Sequence, residues 1–188
     1  MTKHKNYGSI ISRNEKKEKG MDNKIILQNG AGAFLENNGR YLLMLRSSTR
    51  EIAPNLWSCV GGHMEKHELN DPMETCLREI KEETGIDKDN IYDLNMRYII
   101  IRQYRNVIRQ NYIYFGKTNI TNLIETNEGT LHWIPKDELL NKEYTKTYIE
   151  MMKHYIQTPD PKKRTIIGIA GKQNNGLKMQ WSIIEDFE

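Results

Sequence analysis

Residues 61–86 read GGHMEKHELNDPMETCLREIKEETGI, a glycine pair followed by a polar loop and a segment with helical periodicity. Asp71 suits the N-cap of that helix and Pro72 its first turn, while Glu74 stands three residues after the cap and predicts a capping box. Gly85 supplies the left-handed residue with which helices commonly end. The sequence therefore predicts a glycine loop that leads into a helix with two well-defined ends.

The charge pattern of this helix indicates a metal site. At about 100° per residue, two stripes form along it. The apolar stripe consists of Met73, Leu77, Ile80 and Thr84, and the acidic stripe of Glu79, Glu82 and Glu83. Arg78 relieves only part of the repulsion between the three carboxylates. A solvated acidic face is the commoner explanation, but such a face usually contains both acidic and basic side chains. Because magnesium prefers a few carboxylates plus waters and substrate phosphates, we predict a magnesium site in which manganese can substitute.

The same stretch resembles the signature box of the Nudix hydrolases. That box runs Gly, five residues, Glu, seven residues, Arg-Glu-apolar, one residue, Glu-Glu, one residue, Gly-apolar. Gly62 and Glu68 match its first half, and residues 78–86 match its second half. Two residues more than in the family's box follow Glu68, and we interpret Leu69 and Asn70 as an insertion in the loop before the helix.

The resemblance implies an α/β fold, namely a Nudix-type α/β/α sandwich with a mixed sheet. It also implies the residues that do the chemistry. The implied metal ligands are Glu79, Glu82, Glu83 and a backbone carbonyl of Gly61 or Gly62. Whether Glu79 acts instead as the base stays open. The resemblance further assigns Arg78 and Glu68 to the catalytic machinery, where they fix the loop against the helix.

Three residues outside the box are further candidates. Arg46 and Arg50 are expected near the site and are candidate phosphate-binding residues, although surface solvation is the ordinary role of such arginines. Glu128 is a candidate extra metal ligand or base; a solvated loop carboxylate is the commoner case.

The implied activity is that of a magnesium-dependent pyrophosphohydrolase. It would cleave a nucleoside triphosphate-like substrate to a nucleoside monophosphate and pyrophosphate. The resemblance is greatest to MutT-like enzymes that remove oxidised guanine nucleotides such as 8-oxo-dGTP. ADP-ribose, nucleotide sugars and dinucleoside polyphosphates remain alternative substrates, the last weakly favoured by Tyr104. A non-catalytic nucleotide-binding module is the other alternative, which the intact acids disfavour.

Composition limits the classes of partner. A net charge of +3 over 188 residues suits an anionic small molecule but not a nucleic-acid-binding face. No apolar run approaches a membrane span and no leader opens the chain, so we expect no membrane partner and a cytoplasmic protein. Cys59 and Cys76 are expected to be buried, reduced thiols.

We divide the chain into a flexible polar arm (1–22), a Nudix domain (23–157) and a C-terminal extension (158–188). Asn37-Asn38-Gly39 predicts a hairpin between strands at 31–36 and 40–46. Trp57 is expected in the core rather than as a platform for a base. Further strands are predicted at 56–60, 95–103, 109–117 and 131–134, and helices at 137–140 and 144–156.

The extension is predicted to form a β-hairpin from 165–170 and 177–184, around Asn174-Asn175-Gly176. It carries Trp181 and too much apolar surface to remain in water. We expect it to pack near the base-binding end of the site. Plain extension of the sheet is about equally favoured, and burial in a homodimer interface is the third alternative.

Overall fold

The computed structural model describes residues 24–124, 126–173 and 176–186. The predicted arm at 1–22 and the predicted turn residues Asn174 and Asn175 lie outside these ranges. The strands are Ile26–Asn37 (β1), Arg40–Arg46 (β2), Trp57–Ser58 (β3), Val60–His63 (β4), Ile91–Tyr104 (β5), Val107–Thr118 (β6), Gly129–Pro135 (β7), Ile166–Gln173 (β8) and Gly176–Ile183 (β9). The α-helices are Pro72–Thr84 (α1) and Lys146–Gln157 (α2).

All nine strands join one mixed sheet. Its main path runs β3-β2-β1-β6-β5-β8-β9, with β4 paired to β1 and β7 paired to β2. The β1–β6 and β5–β8 pairs are parallel, and the other pairs are antiparallel. Among the described residues, no helix is both long enough and apolar enough to cross a bilayer.

The two helices cover different apolar clusters of the sheet. Helix α1 contributes Cys76 and Ile80 to a cluster with the odd-numbered side chains of β1. Helix α2 contributes Met151 and Met152 to a second, aromatic-rich cluster around Phe34. Since successive strand residues point to opposite faces, the two clusters occupy the two faces of the sheet. The predicted α/β sandwich is therefore confirmed.

Both ends of α1 lie where the sequence predicts them, but the capping box does not form there. The Asp71 carboxylate accepts hydrogen bonds from the N–H groups of Met73 (3.0 Å) and Glu74 (3.1 Å). The Asp71 N–H itself donates to the Glu68 carbonyl at 2.8 Å, so the Glu74 side chain is not needed there. Gly85 ends the helix with φ 78°.

The capping box lies one turn earlier in the chain. It belongs to a short 3₁₀ turn, Lys66–Glu68, which Glu65 begins. The Glu68 carboxylate accepts from the Glu65 N–H at 2.9 Å. Leu69 and Asn70 then form the turn between this element and α1.

Several predicted elements differ in extent from the observed ones. The single strand expected at 56–60 is two strands, because β3 pairs with β2 whereas β4 pairs with β1. The helix expected at 137–140 is a 3₁₀ helix, Lys136–Asn141. The hairpin turn at Asn38 and Gly39 is as predicted, with φ of 50° and 77°. Both cysteines are buried free thiols, as predicted.

The C-terminal hairpin extends the sheet. Strand β8 pairs in parallel with β5, and β9 pairs with β8. Trp181 packs on Tyr98 (ring centroids 5.7 Å apart) and on His154 (4.6 Å). The structure has the alternative of sheet extension, and no described residue of the extension lines the cavity presented below. Ile166 and Met179 of the hairpin are buried, whereas Ile169, Leu177, Ile183 and Ile184 remain exposed.

Candidate active site

The glycine pair lets two acids of α1 lie against the backbone of β4. The Gly61 N–H donates to the Glu83 carboxylate at 2.8 Å. A Cβ on Gly62 would lie 2.3 Å from Oε1 of Glu79, so only glycine leaves room for that carboxylate. Gly61 also has φ 152°, a conformation that side chains disfavour. The loop sequence thus places a carboxylate beside each glycine.

Arg78 ties the loop to the helix through all five of its N–H donors. Its Nε and Nη2 donate to the Glu68 carboxylate at 2.7 and 3.0 Å, and Nη2 also donates to the His63 carbonyl at 3.1 Å. Its Nη1 donates to Glu79 at 2.8 Å and to Glu82 at 3.1 Å. Glu68 is fully buried, and the Arg78 guanidinium holds its pKa down to about 2.

A cavity of about 760 Å³ opens in front of the glycine pair. Of the residues that the sequence singles out, those lining it are Arg46, Arg50, Gly61, Gly62, Arg78, Glu79, Glu83 and Glu128. Glu68 lies behind Arg78, outside the lining. The Glu82 side chain is 59% exposed and is also absent from the cavity wall. Glu82 nevertheless shares the Nη1 group of Arg78 with Glu79, so it stays next to one of the cavity acids while facing solvent.

The acids of the cavity interact electrostatically. Burial, together with the neighbouring charges of Glu79 and Glu128, raises the pKa of Glu83 to about 8. Burial also raises the pKa of Glu79, while the adjacent Arg78 opposes that rise. Glu128 comes from the loop before β7 and forms an ion pair with Arg50 at 3.0 Å.

The carboxylates of the cavity fit a hard divalent cation whose remaining ligands come from water and from the phosphates of the substrate. Within the described residues, no three His, Cys, Asp or Glu side chains form a ready-made ion site. Glu83 is nevertheless 5% exposed, and among the described residues its one hydrogen-bond donor is the Gly61 N–H. A buried carboxylate with so few partners is costly without a cation. Glu79 and Glu83 supply the one or two carboxylates that magnesium needs beside waters and phosphates.

The structure adds several residues that the sequence did not single out for the site. Arg102 on β5 and Arg109 on β6 line the cavity, as do His63 and Asn111. Trp57, expected in the core, is half-buried and forms part of the cavity wall. One feature of the sequence could have identified these two arginines. The predicted pairing of the two strands around Arg105 and Asn106 sets Arg102 opposite Arg109.

Comparison with known proteins identifies the family. A family model described as the NUDIX domain matches residues 26–155, more than two thirds of the chain. The chain belongs to the NUDIX family. This confirms the family predicted from the box.

Individual relatives of this NUDIX domain agree. The nucleoside triphosphatase NudI of Enterobacter sp. (strain 638) is 43% identical over 52 residues, which are 28% of this chain and 36% of that relative. The MutT protein of Bacillus halodurans has a similar structure, with a TM-score of 0.60, 22% identity, and coverage of 82% of this chain and 97% of that one. An Ap4A hydrolase of C. elegans has a TM-score of 0.54 at 15% identity, covering 71% and 96%. At these identities the structural likenesses show the fold.

Proposed function

We propose that this NUDIX protein is a magnesium-dependent pyrophosphohydrolase that cleaves a nucleoside triphosphate to a nucleoside monophosphate and pyrophosphate. The main observation behind this proposal is that the same cavity is lined by two carboxylates, Glu79 and Glu83, and by several arginines. A metal-bound polyphosphate presents both charges that such a cavity complements. The similarity to the nucleoside triphosphatase NudI supports a triphosphate as the substrate class.

The chain's own residues would bind and orient the substrate. Glu79, Glu82 and Glu83 would hold magnesium, with Glu128 and a backbone carbonyl of Gly61 or Gly62 as further ligands. Magnesium held by these residues would supply charge neutralisation for the phosphate oxygens and a bound water of lowered pKa. Arg46 and Arg50 would bind phosphate oxygens, for which their guanidinium groups suit bidentate contacts. Arg78 would hold the glycine loop in place against the acids of α1. Such positioning supplies much of the rate acceleration in phosphoryl transfer.

Two carboxylates compete for the role of base, Glu79 and Glu128. Both line the cavity, and burial raises the pKa of Glu79, which strengthens that carboxylate as a base. A base variant lowers kcat while leaving the magnesium affinity intact, whereas a ligand variant weakens magnesium binding. Comparing Glu79→Gln with Glu128→Gln in magnesium titrations therefore separates the two roles.

The proposal is tested with a substrate panel in magnesium, with monophosphate, pyrophosphate and orthophosphate measured separately. The panel contains the common nucleoside triphosphates, 8-oxo-dGTP beside dGTP, ADP-ribose, a nucleotide sugar and a dinucleoside tetraphosphate. We expect triphosphates to yield monophosphate and pyrophosphate, with 8-oxo-dGTP preferred to dGTP, as in MutT-like enzymes. Excess chelator should abolish turnover.

Matched variants locate the activity. Glu83→Gln removes a cavity carboxylate and should lower kcat/KM by at least ~100-fold, an effect on the scale of losing one electrostatic group of an active site. Glu74→Gln removes an exposed acid of the same helix and should leave turnover unchanged. Full turnover in chelator, or in Glu83→Gln, would refute the proposed metal site. Absence of turnover with every panel member, with nucleotide binding retained, would indicate a non-catalytic binding module.

A further inference from the structure

Arg102 and Arg109 form a pair of like charges on the cavity wall. They occupy directly opposed positions of the antiparallel β5–β6 pair. Like charges in directly opposed positions destabilise a sheet. Arg109 is followed at i+2 and i+4 by Asn111 and Ile113, which line the same cavity, so the pair belongs to the α2 face of the sheet.

In the part of the chain that the structure describes, no acid forms an ion pair with either arginine. Within residues 24–124, 126–173 and 176–186, Arg102 has neither an ion pair nor a side-chain hydrogen bond. Arg109 donates to the neutral Gln28 amide oxygen at 2.6 Å and forms no ion pair in the same part of the chain. Burial and the charge of Arg109 lower the pKa of Arg102, as expected for a cation held away from water beside another cation.

The other cavity arginines are already engaged. Arg50 forms an ion pair with Glu128, and Arg46 donates to the Ile52 carbonyl at 3.1 Å. All five N–H donors of Arg78 are bonded to groups of the loop and of α1. Arg102 and Arg109 differ from these arginines in lying directly opposite each other, and among the described residues neither forms an ion pair with an acid. Their unbalanced charge attracts an anionic group of whatever molecule fills the cavity.

We propose that Arg102 and Arg109 bind a phosphate group of the substrate other than the two that flank the scissile bond. This rests on the proposed function, in which the acids of α1 and their metal take the scissile diphosphate. ADP-ribose and nucleotide sugars contain only those two phosphates. Nucleoside triphosphates and dinucleoside polyphosphates contain a further one, so the arginine pair selects for them.

A binding experiment without metal tests the anion site independently of catalysis. The full chain is titrated with inorganic pyrophosphate in excess chelator, and thermal unfolding is followed. Wild-type protein should gain melting temperature, whereas Arg102→Gln and Arg109→Gln should lose most of that gain. Both variants should also be at least as stable as wild type without pyrophosphate, because the like-charge repulsion is relieved. Arg40→Gln, an exposed arginine of β2 outside the cavity, should respond as wild type does.

Kinetics in magnesium tests the selectivity. Arg102→Gln should raise KM for a nucleoside triphosphate at least ~10-fold, as loss of a charged hydrogen bond implies, with kcat nearly unchanged. Its KM for ADP-ribose should stay the same. A wild-type pyrophosphate response in Arg102→Gln and Arg109→Gln would overturn the inference, as would loss of the response in Arg50→Gln alone. Equal effects on both substrates would also overturn it. If the chelator experiment succeeds and no substrate is cleaved, the anion site stands and the proposed function fails.

Discussion

Replacing Arg78 by methionine should destabilise the protein strongly, because it leaves the Glu68 carboxylate charged and buried. Glu68 is fully buried, and two of its hydrogen bonds come from Arg78. Breaking a buried pair by removing one partner costs about 3–5 kcal/mol. The Arg78 side chain is 23% exposed, so we expect the lower end, about 3 kcal/mol. For a chain of this length, that corresponds to a fall in Tm of about 6–12 °C.

The measurement is thermal and denaturant unfolding in metal-free buffer, with a double-variant control. Glu68→Gln combined with Arg78→Met removes both charges, and its loss should be smaller than that of Arg78→Met alone. Arg78→Lys should recover little, because an ammonium cannot reach Glu68, Glu79 and the His63 carbonyl together. A loss below about 1 kcal/mol for Arg78→Met, or additive losses in the double variant, would refute the reasoning.

Acid should erase the difference between wild type and Arg78→Met. The folded-state pKa of Glu68 is depressed to about 2 from 4.5, so its ionised form stabilises the fold above about pH 4.5. That contribution is lost as the pH falls toward 2. The stability difference between the two proteins should therefore be largest near neutral pH and shrink below pH 4.5. A difference that is constant across this window would show that Arg78 acts through packing.

Three further substitutions test separate parts of the structure. Gly62→Ala places a Cβ 2.3 Å from Oε1 of Glu79, and the flexible Glu79 side chain can move away from it. We therefore expect a near-normal Tm but an activity at least ~100-fold lower, because the carboxylate is displaced. An unchanged kcat/KM would contradict the assigned role of Glu79. Asp71→Ala removes the acceptor for two N–H groups at the start of α1 and should lower the free energy of unfolding in denaturant by about 1 kcal/mol. Asp87→Ala, at an exposed site after the helix, is the control. Trp181→Ala should cost about 3 kcal/mol, because it opens a cavity against Tyr98 and His154, and should leave KM unchanged; a raised KM would mean that the hairpin influences the cavity.

The parts of the structure that the sequence predicts are those set by neighbouring residues. The ends of α1 depend on Asp71 and Gly85, and the first hairpin depends on Asn38 and Gly39, each of which acts within a few residues. The position of Glu74 favours a capping box equally well. The box does not form because the Asp71 N–H is already bonded to a carbonyl of the preceding turn. That competition depends on the loop path, which local spacing does not determine.

The parts that the sequence leaves open depend on strand register and on which residue faces the cavity. The stripe of α1 groups Glu79, Glu82 and Glu83 correctly, yet Glu83 is buried against Gly61 while Glu82 faces solvent. The pairing of Arg102 with Arg109 needs the register of β5 and β6, which a one-residue slip would abolish. The site of the C-terminal hairpin depends on which sheet edge remains free, a property of the assembled fold.

The parallel pairing of β1 with β6 has a consequence for biosynthesis. Ile26 pairs with Val107, so roughly 80 residues must be synthesised after β1 before its long partner exists. At ribosomal rates of about 5–20 residues per second, that delay is about 4–16 s. The glycine loop and the acidic helix are complete once Thr84 has been added, so for the last part of this interval the nascent chain carries both while one backbone edge of β1 is unpaired. Fragments that end between residues 87 and 106 should therefore bind chaperones rather than fold, although they contain every acid of the signature box.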